Sequence, residues 1–169
     1  MPARASSAPA RRCPEKRPVV SRGVSFEVVT PLALPVLEPL VRAYYEEAGV
    51  LFGPAQQRAL AMLAVGDAPG RAWLMRDGGE AVGYIVATFG FAVQQGGRDA
   101  FIDEIYVAPS HRGRGVGRAA LAQAEEFLRE SDVRAIHLAI KPELPRAQTL
   151  YRRHGFVDHG WRMMSKELA

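Results

Sequence analysis

The chain has 169 residues, of which 48% are hydrophobic and 24% charged, and it carries a formal net charge of +4. A chain of this length can bury roughly two-thirds of its unfolded surface in one core. The composition is typical of a globular protein and unlike that of a disordered or fibrous one. No run approaches the ~20 apolar residues of a membrane-spanning helix. These properties predict one folded domain and no membrane partner.

The positive charge is concentrated at the N-terminus. Residues 1–22 contain six Lys or Arg and one acidic residue, so residues 23–169 have a net charge of −1. We therefore predict a disordered basic tail over residues 1–22 and a folded domain over residues 23–169. Because the folded part is not basic, nucleic acid is not predicted as a partner. A nucleic-acid binder that uses the tail is the competing interpretation.

Cysteine usage and the N-terminal sequence bear on location. Cys13 is the only cysteine, so no intrachain disulfide ties the fold to an oxidising compartment. The N-terminal segment has positive charges but lacks the continuous apolar run of a secretory signal. Both observations favour a cytoplasmic protein.

Hydrophobic periodicity and turn residues divide the domain into alternating elements. Strands are predicted over residues 24–30, 71–76, 81–89, 100–107, 133–140 and 163–168, and helices over residues 36–47, 54–63, 115–130 and 145–154. The order is one strand, two helices, three strands in a meander, then helix, strand, helix and strand. This order predicts an α/β (mixed α+β) fold, in which helices cover both faces of a central, mostly antiparallel mixed sheet.

A glycine-rich turn connects the third strand of the meander to the next helix. Glycines alternate at positions 113, 115 and 117, with Arg112 and Arg114 beside them. The first N–H groups of a helix have no partner within the helix and lie at the positive end of its dipole, so they bind anions. The spacing fits neither the nucleoside triphosphate loop nor the dinucleotide loop. The turn predicts a different kind of pyrophosphate site, and a purely structural turn is the alternative.

The residues around this turn resemble a known motif. Val107-x-Pro109, followed by Arg112-x-x-Gly115-x-Gly117 at the start of a helix, resembles the acyl-CoA pyrophosphate motif of the GNAT superfamily of N-acyltransferases. Over roughly residues 24–168 the order of elements is also similar to that of the superfamily. The resemblance implies the GNAT-like acyl-CoA N-acyltransferase fold. It also implies direct transfer of an acetyl group from acetyl-CoA to a primary amine within a ternary complex.

A second stretch extends the resemblance. Ala147-x-x-Leu150-Tyr151-x-x-x-Gly155-Phe156 resembles the second motif of the superfamily. One position departs from the pattern, because Leu144 stands where members often have an Asn that contacts CoA. The resemblance predicts that the following residues contact the cofactor: Ile105, Tyr106, Val107, Arg112, Gly113, Arg114, Gly115, Val116, Gly117, Arg118, Leu144, Ala147 and Tyr151. The four histidines lack metal-ligand spacing, so no metal is predicted.

The reaction needs a base and an acid. An alkylamine with a pKa near ~10.4 must lose a proton before it attacks, and Asp103 and Glu104 are the candidate bases. Neighbouring side chains on a strand point to opposite faces, so at most one of them faces the cleft. The resemblance favours Asp103 and leaves Glu104 open, and a surface ion pair is the alternative for each. It also implies that Tyr151 protonates the CoA thiolate and that backbone N–H groups around residues 105–107 stabilise the oxyanion.

The sequence indicates least about the identity of the acceptor amine. Residues 44–47, Tyr-Tyr-Glu-Glu, combine aromatic rings and negative charge on the first helix, which suits a cationic small-molecule or peptide amine. A solvated helix end is the alternative. A different class of function, an acyl-CoA-binding regulatory module with little turnover, is motivated by Leu144. A homodimer formed through sheet edges is left open.

Overall fold

The computed structural model describes residues 19–21 and 23–168. Its strands are β1 (Val19–Ser21), β2 (Val24–Val28), β3 (Gly70–Asp77), β4 (Glu80–Ala92), β5 (Gly97–Val107) and β6 (Ala135–Leu138). Its α-helices are α1 (Leu34–Ala48), α2 (Pro54–Val65), α3 (Val116–Glu130) and α4 (Pro145–Arg153). Single 3-10 turns, Pro31–Ala33 and Pro109–His111, precede α1 and the glycine turn. None of the helices described is long and apolar enough to cross a membrane.

The six strands form one sheet in the order β1-β2-β3-β4-β5-β6. All neighbouring pairs are antiparallel except β5 and β6, which are parallel. The β5–β6 pairing covers only the segment from Asp99 to Ile102 opposite Ala135 to Leu138. The two strands part beyond Ile102, and the C-terminal half of β5 is paired with β4 on one side only. The predicted mixed, mostly antiparallel sheet is confirmed.

Each face of the sheet is covered by its own helices. On one face α3 contributes Leu121 and Leu128, which pack with strand residues such as Trp73 and Met75. On the other face α1 and α2 pack against residues that include Leu74. Because alternate side chains of a strand point to opposite faces, the continuous apolar run of β3 supplies both cores. The predicted layers of helices on both faces are therefore present.

The N-terminal edge differs from the prediction. Strand β1 lies inside the segment predicted as a tail, and its backbone pairs with β2, with Ser21 opposite Val24. The hairpin is possible because Gly23 adopts a φ of +88°, a conformation that glycine accepts without strain. The sheet thus begins before the predicted boundary at residue 23. Residues 1–18 and 22 of the predicted tail lie outside the described residues.

The C-terminal prediction is wrong. Residues 163–168 form no strand, and β6 is the last strand of the sheet. Met164 is 93% exposed and Leu168 87% exposed. The sequence Met-Met-Ser-Lys-Glu-Leu does not alternate between apolar and polar residues, so it offers no single apolar face to a core.

We expect Gly83→Ala to destabilise the sheet next to the β5 segment that lacks a β6 partner. Gly83 pairs with Val107, and a β-carbon at position 83 would overlap the backbone carbonyl oxygen of Tyr106. Overpacking of this kind costs roughly 1–3 kcal/mol, measured as a loss in the free energy of urea unfolding. Gly53→Ala is the control, because its β-carbon would meet only the Gln56 side chain. Equal losses in the two variants would contradict the expectation.

Candidate active site

The glycine turn leaves the start of α3 open. β5 ends at Val107, and after the 3-10 turn Gly113 and Gly115 adopt φ values of +76° and +87°. A β-carbon at either glycine would meet nothing, so the conformation and not crowding requires glycine there. Gly115 is the residue that precedes α3, and the first N–H groups of the helix follow it. The turn has the geometry of an anion site.

The third glycine of the turn, Gly117, lies in the first turn of α3. A β-carbon at Gly117 would lie 3.4 Å from Leu150 of α4 and 3.9 Å from Val107. These are ordinary van der Waals distances, so crowding does not require glycine at position 117. They show that the start of α3 lies beside α4 and the end of β5, which brings the two sequence motifs together.

The Arg112 side chain contacts α1. Its Nε donates to the carbonyl oxygen of Val107 at 2.7 Å, and its terminal nitrogen donates to both carboxylate oxygens of Glu47 at 2.8 Å. The guanidinium lies 5.4 Å from the centroid of the Tyr106 ring, and the Tyr106 hydroxyl donates to Glu47 at 3.4 Å. The sequence predicted Arg112 as a charge at the rim of the turn. It gave no sign of Glu47 as the partner, because the two residues are far apart in the chain.

The two candidate carboxylates have different surroundings. Asp103 is exposed, whereas Glu104 is half-buried. Glu104 accepts hydrogen bonds from the hydroxyls of Tyr45 and Tyr84, both at 2.8 Å. A bulge in the β4–β5 ladder explains the difference, because Val86 pairs with Glu104 and the next residue pairs with Ile102, which leaves Asp103 as the extra residue. The bulge directs Glu104 toward α1.

Burial sets the acid–base character of this group. Burial raises the pKa of Glu104, while the hydrogen bonds from Tyr45 and Tyr84 oppose the increase. The pKa of each of these tyrosines is also raised, first by burial and then by its interactions with the Glu104 carboxylate. The tyrosines are therefore held protonated as donors, and Glu104 is held as an acceptor with a raised proton affinity.

A tyrosine cluster, formed by Tyr44, Tyr45, Tyr84 and Tyr106, surrounds Glu104. The Tyr44 ring packs edge-on against Tyr45, Tyr84 and Tyr106, with centroid distances of 5.6, 6.2 and 6.3 Å. Burial is the main cause of a raised pKa at Tyr44, and Glu104 and Asp103 raise it further. α1 thus brings two tyrosines to the carboxylate.

Tyr151 approaches the same region from α4. Its ring packs against Phe156 at 5.7 Å and against the core beneath α3. Burial raises the pKa of Tyr151, and the electrostatic influence of Tyr44 raises it further. Tyr44 therefore lies within electrostatic range of both Glu104 and Tyr151.

The model of the Acetyltransferase (GNAT) family matches residues 37–156. The chain belongs to this family. It is 36% identical over 92 residues to a mycothiol acetyltransferase of Beutenbergia cavernae. This match covers 53% of this chain and 29% of the relative. It is 30% identical over 84 residues to a thialysine N-epsilon-acetyltransferase of Bos taurus, covering 47% of this chain and 49% of the relative. The chain thus spans less than half the length of these curated relatives.

Solved structures support the same family fold. An integron cassette protein from the mobile metagenome of Cole Harbour Salt Marsh is 36% identical, with a TM-score of 0.74. The match covers 85% of this chain and 90% of that chain. The predicted GNAT-like fold and the enzyme class implied by the resemblance, acyltransferase, are those of the family.

The other positions at which the family motifs predict cofactor contacts are divided between core and surface. Val116 is buried, so only its backbone is available to a ligand, and Arg114 and Arg118 are exposed. Ile105, Val107 and Ala147 are half-buried, and Leu144 is the exposed residue that precedes α4. The Leu144 side chain has no polar atom to offer. A contact there is limited to its backbone or to apolar packing.

A cleft of about 1180 Å³ lies between β6, α4 and the C-terminal segment. Tyr151, His137 and Trp161 line it, whereas residues 112–118 of the GNAT turn do not. The cleft reaches the candidate acid but not the anion site. Within the described part of the chain, no group of three or more His, Cys, Asp or Glu side chains is placed to hold a metal ion.

We expect Tyr84→Phe to destabilise the protein because it removes one of two donors from a buried carboxylate. The Tyr84 ring is fully buried, so the substitution changes the hydrogen bond and little else. Hydrogen bonds to charged groups contribute about 1.5–3 kcal/mol, and a loss of this size in the free energy of urea unfolding at pH 7 is expected. Tyr44→Phe, which keeps its edge-on ring contacts, is the control and is expected to lose less. A loss in Tyr44→Phe as large as in Tyr84→Phe would contradict the assignment.

Proposed function

We propose that this chain is an N-acetyltransferase that transfers the acetyl group of acetyl-CoA to a primary amine by direct attack within a ternary complex. The observation that carries the proposal is the position of Glu104. Two tyrosine hydroxyls hold this carboxylate on the part of β5 that β6 does not cover, and the open N-terminus of α3 follows at the end of the same strand. Family membership supports the choice of cosubstrate.

The glycine turn suits the pyrophosphate of CoA. The N–H groups from Gly113 to Arg118 offer hydrogen bonds and the positive end of a helix dipole, without β-carbons at positions 113 and 115. The exposed Arg114 and Arg118 add positive charge. Residues 105–107 carry the backbone groups on the β6 side of β5 that no described strand pairs, and we assign to them the pantetheine arm and the oxyanion. Acetyl-CoA supplies an activated thioester.

Glu104 is the proposed general base. An ammonium group with a pKa near ~10.4 must lose a proton to attack, and a carboxylate of raised pKa accepts it more readily than an ordinary one. Tyr45 and Tyr84 fix the orientation of the carboxylate. Asp103, which the resemblance favoured, is the exposed extra residue of the bulge. The geometry favours Glu104 over Asp103.

Tyr151 is the proposed general acid. When the tetrahedral intermediate collapses, the new C–N bond remains, the C–S bond breaks and the thiolate takes a proton. The raised pKa of Tyr151 keeps its hydroxyl protonated, so that it can donate to the sulfur as the C–S bond breaks. Because a thiol pKa of about 8.5 lies below the pKa of a tyrosine, the transfer is completed only when Tyr151 regains a proton. The nitrogen gives up two protons in forming the amide. Glu104 takes the first before the attack and passes it to solvent, and the second leaves the nitrogen as the intermediate collapses and restores the Tyr151 hydroxyl by way of solvent.

A small-molecule amine is the proposed acceptor. The chain is similar to a mycothiol acetyltransferase and a thialysine N-epsilon-acetyltransferase, and each of these names contains a small molecule. A screen of thiol release from acetyl-CoA over cysteine-derived, lysine-like, polyamine and aminoglycoside amines tests the activity directly. Turnover with any of them supports the proposal. Tight acetyl-CoA binding without turnover on any amine would favour the regulatory module. The cytoplasmic location and the homodimer remain predictions.

We expect Glu104→Gln to lower kcat/KM by about 10²–10⁴-fold, the usual contribution of a positioned base. In the parent protein the rate should rise with pH through a pKa above the ordinary glutamate value, because the carboxylate must be deprotonated to act. That limb should be absent in Glu104→Gln. Asp103→Asn is the matched control and should keep the limb, with a rate within about fivefold of the parent. Loss of the limb in Asp103→Asn alone would reverse the assignment.

We expect Tyr151→Phe to lower kcat at least about tenfold while acetyl-CoA binding changes little, because the ring keeps its packing and only the proton donor is lost. Stopped-flow thiol release and calorimetric titration with acetyl-CoA measure the two quantities separately. The decrease should not depend on which amine is the acceptor, since CoA is the leaving thiol throughout. Undiminished thiol release would exclude Tyr151 as the acid.

A further inference from the structure

The Arg112–Glu47 pair joins the glycine turn to α1. Arg112 is fixed at two points, since Nε binds the last carbonyl of β5 and the terminal nitrogen binds both oxygens of Glu47. Tyr106 packs against the guanidinium and donates to the same carboxylate. Glu47 lies in the last turn of α1, where a cation also interacts favourably with the negative end of the helix dipole. The contact is therefore specific, although its charged groups remain partly exposed.

The same turn of α1 reaches the catalytic carboxylate. Tyr45, two residues before Glu47, donates to Glu104 at 2.8 Å. Tyr44 packs against Tyr84 and Tyr106 of the sheet. A continuous set of contacts thus runs from the turn through Arg112 and Glu47 to Tyr45 and Glu104. Contiguous contacts of this kind can carry coupling between two sites, and a measurement of coupling is needed to establish it.

We propose that Arg112 and Glu47 are positioning residues that couple the cofactor turn to α1, so that binding of acetyl-CoA orders the end of α1 that holds Tyr45 against Glu104. The inference rests on the proposed binding of acetyl-CoA at this turn. In this arrangement the backbone of the turn and Arg114 and Arg118 receive the phosphates, while the Arg112 side chain stays on Glu47. The cofactor thereby prepares the base on the acceptor side of the sheet.

Hydrogen exchange followed by mass spectrometry, with and without acetyl-CoA, tests this coupling without an acceptor amine. In the parent protein acetyl-CoA should slow exchange in residues 108–120 and, by about threefold or more, in residues 40–52. In Glu47→Gln and in Arg112→Gln the protection of residues 108–120 should remain and that of residues 40–52 should be lost. The double variant should lose no more than either single variant, because both act through one contact.

Glu27→Gln is the matched control. It breaks a partly exposed pair between Arg76 and Glu27 on neighbouring strands, at 3.0 Å, and should leave the protection of residues 40–52 as in the parent. Surface pairs contribute little to stability, so all the variants are expected to fold. Because coupling is reciprocal, its loss should weaken acetyl-CoA binding, measured by calorimetry, by no more than about threefold and equally in Glu47→Gln and Arg112→Gln.

Three results would overturn the inference. Protection of residues 40–52 that persists in both single variants would show that the pair does not carry the coupling. Protection confined to residues 108–120 in the parent would show that no coupling exists. Tenfold weaker acetyl-CoA binding in Arg112→Gln, together with tighter binding in Glu47→Gln, would make Arg112 a phosphate ligand that Glu47 competes for. No protection at residues 108–120 in the parent would instead remove the proposed function itself.

Discussion

The separation of β5 from β6 is the constraint on which the rest of the site depends. Pairing stops at Ile102 and Leu138, so no described strand pairs with the second half of β5 on that side, and the last carbonyl of the strand, that of Val107, accepts from the Arg112 side chain. Unpaired N–H and C=O groups inside a protein are costly unless water or a ligand satisfies them. A parting of two strands therefore favours a chain-like polar ligand at this edge, and α3 lies near α4 there, since a β-carbon at position 117 would be 3.4 Å from Leu150. The sheet supplies the binding edge, and the helices supply charge and side chains.

Removing the Glu104 carboxylate from water costs free energy, and hydrogen bonds from the tyrosine cluster offset part of it. A buried carboxylate without donors would take up a proton or lower the stability of the fold. Two hydroxyl donors offset part of this cost, yet burial still raises the pKa. The result is a carboxylate that is ordered and also basic, two properties that a fully satisfied ion pair would not combine. The donors come from α1 and β4, so the base depends on the docking of α1 against the sheet.

Local sequence patterns predicted most of the helices and strands. They did not predict the contacts between residues that are far apart in the chain. The glycine turn and the α4 motif could be identified from the sequence because their spacing reflects local backbone requirements, such as the positive φ at Gly113 and Gly115. The choice between Asp103 and Glu104 depended on a bulge in the β4–β5 ladder, which strand alternation alone cannot locate. The pairing of Arg112 with Glu47 had no local signal. The predicted final strand failed because its sequence alternates poorly, with Lys166 between Met164 and Leu168, and these apolar side chains are exposed.

α1 has two roles that the sequence showed only as one amphipathic pattern. Its apolar positions, such as Leu37 and Val41, bury it against the sheet, and this packing is independent of any ligand. Its last turn also places Tyr45 against Glu104, the proposed base, and Glu47 against Arg112 of the glycine turn. Tyr44 and Tyr45 also pack on the core, so both ends of α1 are anchored, and the last turn differs in that its polar groups contact Glu104 and Arg112 as well. Under the proposed coupling, occupancy of the turn would act through these polar contacts, while Leu37 and Val41 keep the helix on the sheet.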